Sequence, residues 1–495
     1  MNHPPSAPRR PRPRASCRPG RGLPVALALG LLVACGGGCG AGAPRDPYET
    51  LKSNRVSSSA QIKALARLDA APPSPRYVAE LERIILSPKG LLATREACVD
   101  RLARRDPAAL ERLLTVNLPL LRPTEFRSWV IQRAGELGNK GLTKAIIRSW
   151  AMPVPYWERD AGRQEPEVLA RMYGGPERVD VVLVDTMLNA RPFVERNLRY
   201  RCWELLIDRG RRDLLVELVN DDELVGDDEM LLDLRASVNE LGVVPRNKEE
   251  ILWIRELRAR PYRAYWERMG RSFSRLDEQR RSELAPRDLA VVVAAARHRP
   301  ELLERSDAEL YRILDQQIGA SGPRYTADFS GWTVKVTERL SDVRGRAGWS
   351  DFVAMALARE ALADDRFREH LFDQADRDLI DTTTEFGGII RLDESGRFEL
   401  VEHPPRSRVS DEKFLAPQSL FDDGYTALFH FHNHAQNYSN RRHAGPHMGD
   451  LQYAEETGAN CLVFTFVKPN LLNVDFYRAD EVVVDLGTVE RPGQG

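Results

Sequence analysis

The spacing of apolar residues predicts helices over most of the chain. Between residues 59 and 318, apolar positions recur at intervals of three and four, as in Val78, Leu81 and Ile85. This is the period of an α-helix with one buried face. Glycines that follow such stretches, for example Gly242, are typical of helix ends.

Short predicted helices follow one another in pairs, for example 194–208 with 211–219, and 227–241 with 248–258. Such pairs are typical of a HEAT-like α-solenoid, in which each pair buries its apolar face against the next. No strict repeat length is present, so an irregular helical arrangement is the alternative. In both cases we expect an all-α region over 59–318.

The pattern changes after residue 318. Glycine and serine become more frequent over 319–348, which we interpret as a linker, and a helical stretch over 349–380 follows. Beyond it, apolar residues alternate with a period of two, as in β-strands. The predicted strands are 384–392, 397–401, 425–434, 461–467, 474–478 and 482–486, with a helix over 450–457. Helices and strands together predict an α/β domain over 349–495.

Composition sets the scale of the protein and argues against one class of partner. The chain has 495 residues, of which 42% are hydrophobic, enough for two or three domains with their own cores. Its formal net charge is −1. Since no overall basic field is present, we expect no nucleic-acid partner.

The N-terminus has the features of an export signal. A basic stretch, Arg9 to Arg21, precedes an apolar run, Leu23 to Ala34, which is too short to span a bilayer comfortably. The residues Leu-Val-Ala-Cys ending at Cys35 resemble the lipobox of bacterial lipoproteins. The resemblance implies a signal peptide over 1–34, lipidation of Cys35, a flexible tether over 35–58, and a membrane-anchored protein of the bacterial cell envelope facing the periplasm or the exterior. A plain secretory signal is the alternative.

The stretch from Leu428 to Leu451 contains most of the candidate functional residues. It contains five of the nine histidines of the chain and closes on Asp450. His430, His432 and His434 alternate with other residues, so a strand would place all three on one face. Two histidines and a carboxylate form a three-ligand metal site with one position left for water, which is the arrangement of catalytic zinc.

The order of these residues resembles the JAMM (JAB/MPN) metalloproteases, whose pattern is a Glu, then H-x-H, then S-x-x-D. Glu385, His432-Asn433-His434 and Asp450 match it. The resemblance implies an α/β fold of the JAMM/cytidine-deaminase-like kind, Zn²⁺ held by the two histidines and Asp450, and Glu385 as general acid–base. It also implies hydrolysis of amide or isopeptide bonds in a protein or peptide substrate.

One residue departs from that pattern at the catalytic position. His447 stands where the family has the Ser that stabilises the oxyanion. We assign it a catalytic role as hydrogen-bond donor; it could also add a metal ligand, or mark a branch that no longer hydrolyses amides. We expect His430 to be a core residue or a neighbour of the ligands, and His443 to be a surface residue.

Three functions are consistent with the sequence. The first is a membrane-anchored zinc peptidase or isopeptidase whose helical region binds a substrate or partner. The second is a scaffold of the cell envelope with a catalytically silent JAMM-like domain. The third loads Fe(II) on the two histidines and the carboxylate for oxygen chemistry.

Overall fold

Two compact units make up the described chain. The computed structural model describes residues 46–53, 55–72, 74–152, 162–318 and 337–493. Residues up to 72 belong to the first unit and those from 74 onward to the second. The predicted signal peptide and Cys35 lie outside the described residues. Within these ranges no helix is both long and apolar enough to cross a bilayer.

The first unit contains helices α1 (Pro47–Lys52) and α2 (Ser58–Leu68). The carboxylate of Asp46 accepts a hydrogen bond of 2.9 Å from the backbone N–H of Tyr48, and Pro47 occupies the first helical position. Both are favourable at a helix N-terminus. The predicted tether over 35–58 therefore contains a short helix, which the capping residues explain.

In the described residues of the second unit up to 318, every regular element is a helix. Consecutive helices pack on each other, for example the pairs at 75–105 and 178–208. Their bounds are α3 Pro75–Leu86, α4 Leu92–Arg105, α5 Pro107–Asn117, α6 Thr124–Glu136, α7 Thr143–Trp150, α8 Glu165–Tyr173, α9 Arg178–Asn189, α10 Arg196–Asp208, α11 Arg212–Asn220, α12 Asp222–Val225, α13 Glu229–Ala236, α14 Lys248–Arg258, α15 Arg263–Phe273, α16 Glu278–Glu283, α17 Asp288–His298 and α18 Asp307–Ile318. A π-helical turn, Ser237–Leu241, extends α13.

A six-stranded mixed sheet with helices on both faces forms the C-terminal part. Its elements are α19 Leu340–Val343, α20 Trp349–Ala363, α21 Asp365–Ile380, β1 Gly387–Leu392, β2 Phe398–His403, α22 Gln418–Gly424, β3 Phe429–His434, α23 Met448–Thr457, β4 Cys461–Lys468, β5 Leu471–Arg478 and β6 Val482–Glu490. The strand order is β2-β1-β3-β4-β5-β6. Only β3 and β4 are parallel, and α23 connects them. The predicted layout, a helical region followed by an α/β region, is confirmed.

Several predicted elements differ in their bounds. The strands predicted at 384–392, 474–478 and 482–486 span Gly387–Leu392, Leu471–Arg478 and Val482–Glu490. Two further differences have a structural cause. The helical stretch predicted over 349–380 is two helices, because Asp364 has an extended backbone that ends α20. Its carboxylate accepts a hydrogen bond of 2.9 Å from the N–H of Arg366 and so caps the start of α21. The strand predicted to begin at residue 425 begins at Phe429, because α22 and a turn precede it.

A single hydrophobic core joins the late helices to the sheet. Buried apolar residues between Ala236 and Val489 form a continuous core, which includes α14, α15, α17 and α18 together with one face of the sheet. Helix α20 lies in its middle: Phe352, Val353 and Leu357 are at most 2% exposed. The boundary predicted at 319–348 is largely outside the described residues and stays a prediction. The helices on its two sides nevertheless share this core.

Two hydrogen bonds connect the helical region with the segment that leads into β3. The indole N–H of Trp253 in α14 donates to the carbonyl of Tyr425 at 2.9 Å. The hydroxyl of Tyr262 donates to the carbonyl of Asp422 at 2.8 Å. The rings of Trp253, Tyr262 and Tyr425 also meet edge to face. The helices therefore fix the chain immediately before the histidine-bearing strand.

A buried ion pair fastens α20 to the sheet, and its removal tests the core. Arg478 of β5 donates two hydrogen bonds to the Asp351 carboxylate, at 2.6 and 2.9 Å, and both side chains are at most 5% exposed. In Arg478→Ala the Asp351 charge stays buried without its partner, so we expect the free energy of unfolding to fall by about 3–5 kcal/mol. Denaturant unfolding followed by circular dichroism measures the loss.

The matched control is Arg263→Ala. Arg263 and Glu267 form an ion pair of 3.5 Å with both side chains mainly exposed. Such pairs contribute little, so the unfolding midpoint should hardly move. Equal effects of the two substitutions would contradict the structural role given to Arg478.

Candidate metal centre

Strand β3 carries the three alternating histidines. All six of its residues are buried, with β1 antiparallel on one side and β4 parallel on the other. Phe429 and Phe431 point into the core shared with the helices. His430, His432 and His434 therefore point to the opposite face, towards α23, as the period of two predicts.

Glu385 lies on the same face because of the β1–β3 register. Gly387 pairs with His432, so continuing the antiparallel register by two residues places Glu385 opposite His434. The Asn433 N–H donates to the Phe386 carbonyl at 3.0 Å and maintains that pairing. Residues directly opposite in an antiparallel pair share a face. The Glu385 Oε1 accordingly lies 3.9 Å from the His434 Nε2.

The predicted ligands converge at distances suited to zinc. The Nε2 atoms of His432 and His434 are 3.2 Å apart. Asp450 Oδ1 lies 3.3 Å from His432 Nε2, and Asp450 Oδ2 lies 3.8 Å from His434 Nε2. Tetrahedral zinc with bonds of 2.0–2.1 Å separates its donor atoms by roughly 3.3 Å. The donor set of two imidazoles and a carboxylate fits this ion.

The second nitrogen of each imidazole has a partner that orients the ring. His434 Nδ1 lies 2.6 Å from the carbonyl oxygen of His443, which can only accept, so Nδ1 carries the proton and Nε2 has a free lone pair. The Tyr477 hydroxyl oxygen lies 3.4 Å from His432 Nδ1 and can accept in the same way. Such hydrogen bonds are the usual support of metal-binding histidines.

Helix α23 positions the carboxylate. The helix begins at Met448, one residue after His447, so Asp450 lies in its first turn. The backbone N–H of His447 donates to Asp450 Oδ2 at 2.6 Å, which fixes the side chain. Although burial opposes the charged form, the neighbouring His432 holds the pKa of Asp450 well below its usual range. An ionised carboxylate therefore faces the two imidazoles.

Electrostatics at the centre favour a cation. Burial lowers the pKa of His434 to about 3, and the neighbouring His432 adds to the effect. For His432 burial acts in the same direction, but the carboxylates of Asp450 and Glu385 outweigh it and raise its pKa to about 9. The acidic groups thus attract one positive charge to a position beside His432 Nε2.

Glu385 has a carboxyl group whose pKa lies near neutral pH. The side chain is buried, and burial raises its pKa to about 8, with a further contribution from Asp450. The side-chain amide of Gln436 donates to Glu385 Oε1 at 2.9 Å and to the Asp411 carbonyl at 2.6 Å. A carboxyl group with such a pKa can both accept and release a proton, as general acid–base catalysis requires.

The remaining histidines have different surroundings. His430 Nδ1 lies 2.7 Å from the Tyr453 hydroxyl, and the residue is buried. The ring of His443 is half-buried in the 3₁₀ turn Arg441–His443. Neither belongs to the groups of donor atoms that could share an ion among the described residues.

His447 lies at the centre itself. Its ring stacks on that of His434, with centroids 4.7 Å apart and planes 20° apart. The donor atoms of His434, His447 and Asp450 lie within 4.8 Å of one another, as do those of Glu385, His432 and His434. The two groups share His434, so the five side chains form one continuous cluster.

A cavity of about 420 Å³ opens onto these groups. One wall is apolar and comes from Phe414 and Leu415 in the loop before α22 and from Leu420 in α22. A Cβ at Gly387 would lie 2.8 Å from the Phe414 ring and 2.6 Å from the Phe431 carbonyl, so only glycine allows this loop to lie against β1. The cavity is large enough to hold an amino-acid side chain next to the histidines and Asp450.

Sequence reasoning missed the residues that support the centre. Gln436, Tyr477 and the loop at 411–415 follow no motif. The sequence gives one indication of Gln436: it is the next residue after His432 and His434 at a spacing of two. Tyr477 reaches the site only because β5 lies beside β4 in the sheet.

Comparison with protein-family models, with curated proteins and with solved structures finds no match. The geometry of this centre and the order of its residues along the chain are therefore the basis for assigning a function. The resemblance to the JAMM metalloproteases stays a prediction.

Removing the hydroxyl of Tyr477 tests whether it supports a metal ligand. In Tyr477→Phe, His432 loses the acceptor of its Nδ1 proton, so zinc affinity should fall on the order of tenfold, the lower end for such partners because the contact is long. Competition with a chromophoric chelator measures the affinity. Tyr438→Phe, in the exposed loop after β3, is the control and should bind zinc like the wild type. An unchanged affinity in Tyr477→Phe would remove Tyr477 from the site.

Proposed function

We propose that the protein is a zinc-dependent hydrolase of amide or isopeptide bonds, of the JAMM type. The observation that carries the proposal is the convergence of His432, His434 and Asp450 at the donor spacing of zinc, with the Glu385 carboxyl group 3.9 Å from one of these donors. The order Glu, H-x-H, Asp along the chain supports the same assignment.

Each residue has a distinct task in this mechanism. His432, His434 and Asp450 would hold the ion, and zinc bound there would supply Lewis-acid activation of water and of the scissile carbonyl. Glu385 accepts a proton from the attacking water and returns it to the leaving nitrogen. Gln436 keeps the Glu385 carboxylate in place. The apolar wall at Phe414 and Leu415 binds a side chain of the substrate and excludes water.

We propose a HEAT-like repeat for the helices before residue 319, with the role of binding a protein substrate or partner. The pairwise packing of α3 with α4 and of α9 with α10 supports this arrangement. An irregular helical region would serve the same role. The hydrogen bonds of Trp253 and Tyr262 bring these helices to the segment before β3.

Metal analysis and peptide cleavage test the enzymatic proposal. The purified full chain should contain one zinc ion, and His432→Ala should contain none. Glu385→Gln removes the proton acceptor but no ligand, so it should retain zinc while kcat falls by about 10²- to 10⁴-fold. Cleavage of a peptide library followed by mass spectrometry provides the rate. Wild-type protein without zinc would refute the proposal.

A catalytically silent scaffold is the second candidate. The observation that favours it is the position of His447 within reach of the same donor atoms, where the JAMM pattern has Ser. This candidate would account for a protein that binds zinc but whose cleavage of the library is absent or unaffected by Glu385→Gln.

We further propose that the protein is a lipoprotein of the cell envelope, anchored through Cys35. When the full precursor is produced in a bacterial host, the wild type should incorporate a labelled fatty acid and sediment with membranes. Cys35→Ser should do neither, because the acceptor sulfur is missing. Cys39→Ser, four residues away, is the matched control and should behave as the wild type. Labelling of the Cys35→Ser protein would show that the lipid is elsewhere.

A further inference from the structure

His447 occupies a position that the proposed mechanism does not require. We propose that it is a fourth protein ligand, so that the zinc centre at rest is held by three imidazoles and one carboxylate. The proposal rests on the proposed function, since it concerns the same ion. It replaces the role of oxyanion stabiliser that the sequence suggested for this residue.

The first argument is the position of the ring. His447 stacks on His434 at 4.7 Å between centroids. The donor atoms of His447, His434 and Asp450 are all within 4.8 Å of one another. Donor atoms of one tetrahedral zinc ion are separated by roughly 3.3 Å, so the His447 donor atom is at most about 1.5 Å beyond that spacing from those of His434 and Asp450.

The second argument is the shared backbone of His447 and Asp450. The two residues are three apart at the start of α23, and the His447 N–H donates to the Asp450 Oδ2 at 2.6 Å. His447 is the extended residue that precedes the helix, and Asp450 is the third residue of the helix. The hydrogen bond therefore holds the backbone of His447 next to a proposed metal ligand.

The third observation is that a fourth position on the ion is available. Closed zinc centres have four protein ligands, whereas catalytic centres have three and keep one position open. His432, His434 and Asp450 would provide three, and the imidazole of His447 lines the same cavity. With His447 as the fourth ligand the centre would be closed, and hydrolysis would require that position to be freed.

The test counts imidazoles on the bound metal. X-ray absorption of the zinc-loaded full chain should give three imidazole ligands in the wild type and two in His447→Ala. Zinc affinity, measured by competition with a chelator, should fall at least about tenfold, since losing even a hydrogen-bond partner of a ligand costs 10- to 100-fold. The matched control is His443→Ala, whose ring lies 5.2 Å from that of His447, and it should retain three imidazoles.

A second variant keeps the test decisive if His447→Ala folds poorly. His447→Ser introduces the residue that the JAMM pattern has at this position. It should also show two imidazoles and weaker zinc binding, and it should cleave the peptide library faster than the wild type because the open position is restored.

The possible failures are distinguishable. Two imidazoles in the wild type, with unchanged zinc affinity in both His447 variants, would overturn the role of His447 and leave the zinc hydrolase intact. A wild-type chain that binds no zinc would overturn both proposals. Three imidazoles that persist in His447→Ser would assign the third ligand to another histidine and overturn this inference alone.

Discussion

The chemical difference between the two faces of β3 is the constraint on which the site depends. Phe429 and Phe431 bury their rings against the core of the helices, while His432 and His434 face α23. A slip of one residue in the pairing with β1 would exchange the two faces of β3. The histidines would then face the apolar core, and the phenylalanines would face α23. The register is therefore specified by both faces together: the core requires the rings on one side, and Glu385 must lie opposite His434 on the other.

Burial shifts the pKa values of the residues at the centre, and it also raises the free energy of their charged forms. An isolated charge at Glu385, His432 or Asp450 would lose most of its hydration energy. Their mutual attraction offsets part of that loss, which is why the pKa of His432 rises while that of Asp450 falls. A divalent cation offsets more of it than a proton does, since it interacts with both carboxylates at once. Metal binding and stability are thus linked at this place.

Local patterns in the sequence were sufficient to predict much of the fold and part of the candidate site. The alternation of His430, His432 and His434 predicted their common face, and the change of period after residue 380 predicted the α/β region. Tyr477 and Gln436 could not be found in this way, because their roles depend on the neighbours of each strand and on a loop fastened by long-range hydrogen bonds. The common core of the late helices and the sheet was hidden for the same reason: periodicity shows that a face is buried but not against what.

That common core has a consequence for how the protein is made. Buried residues of α14, α17 and α20 share this core with β4, β5 and β6. Those strands are synthesised after the helices, so the core stays incomplete until β6 is available. Until then the helices keep part of their apolar surface exposed, and such intermediates are prone to aggregate. Chaperones that hold unfinished chains should therefore raise the yield of folded protein.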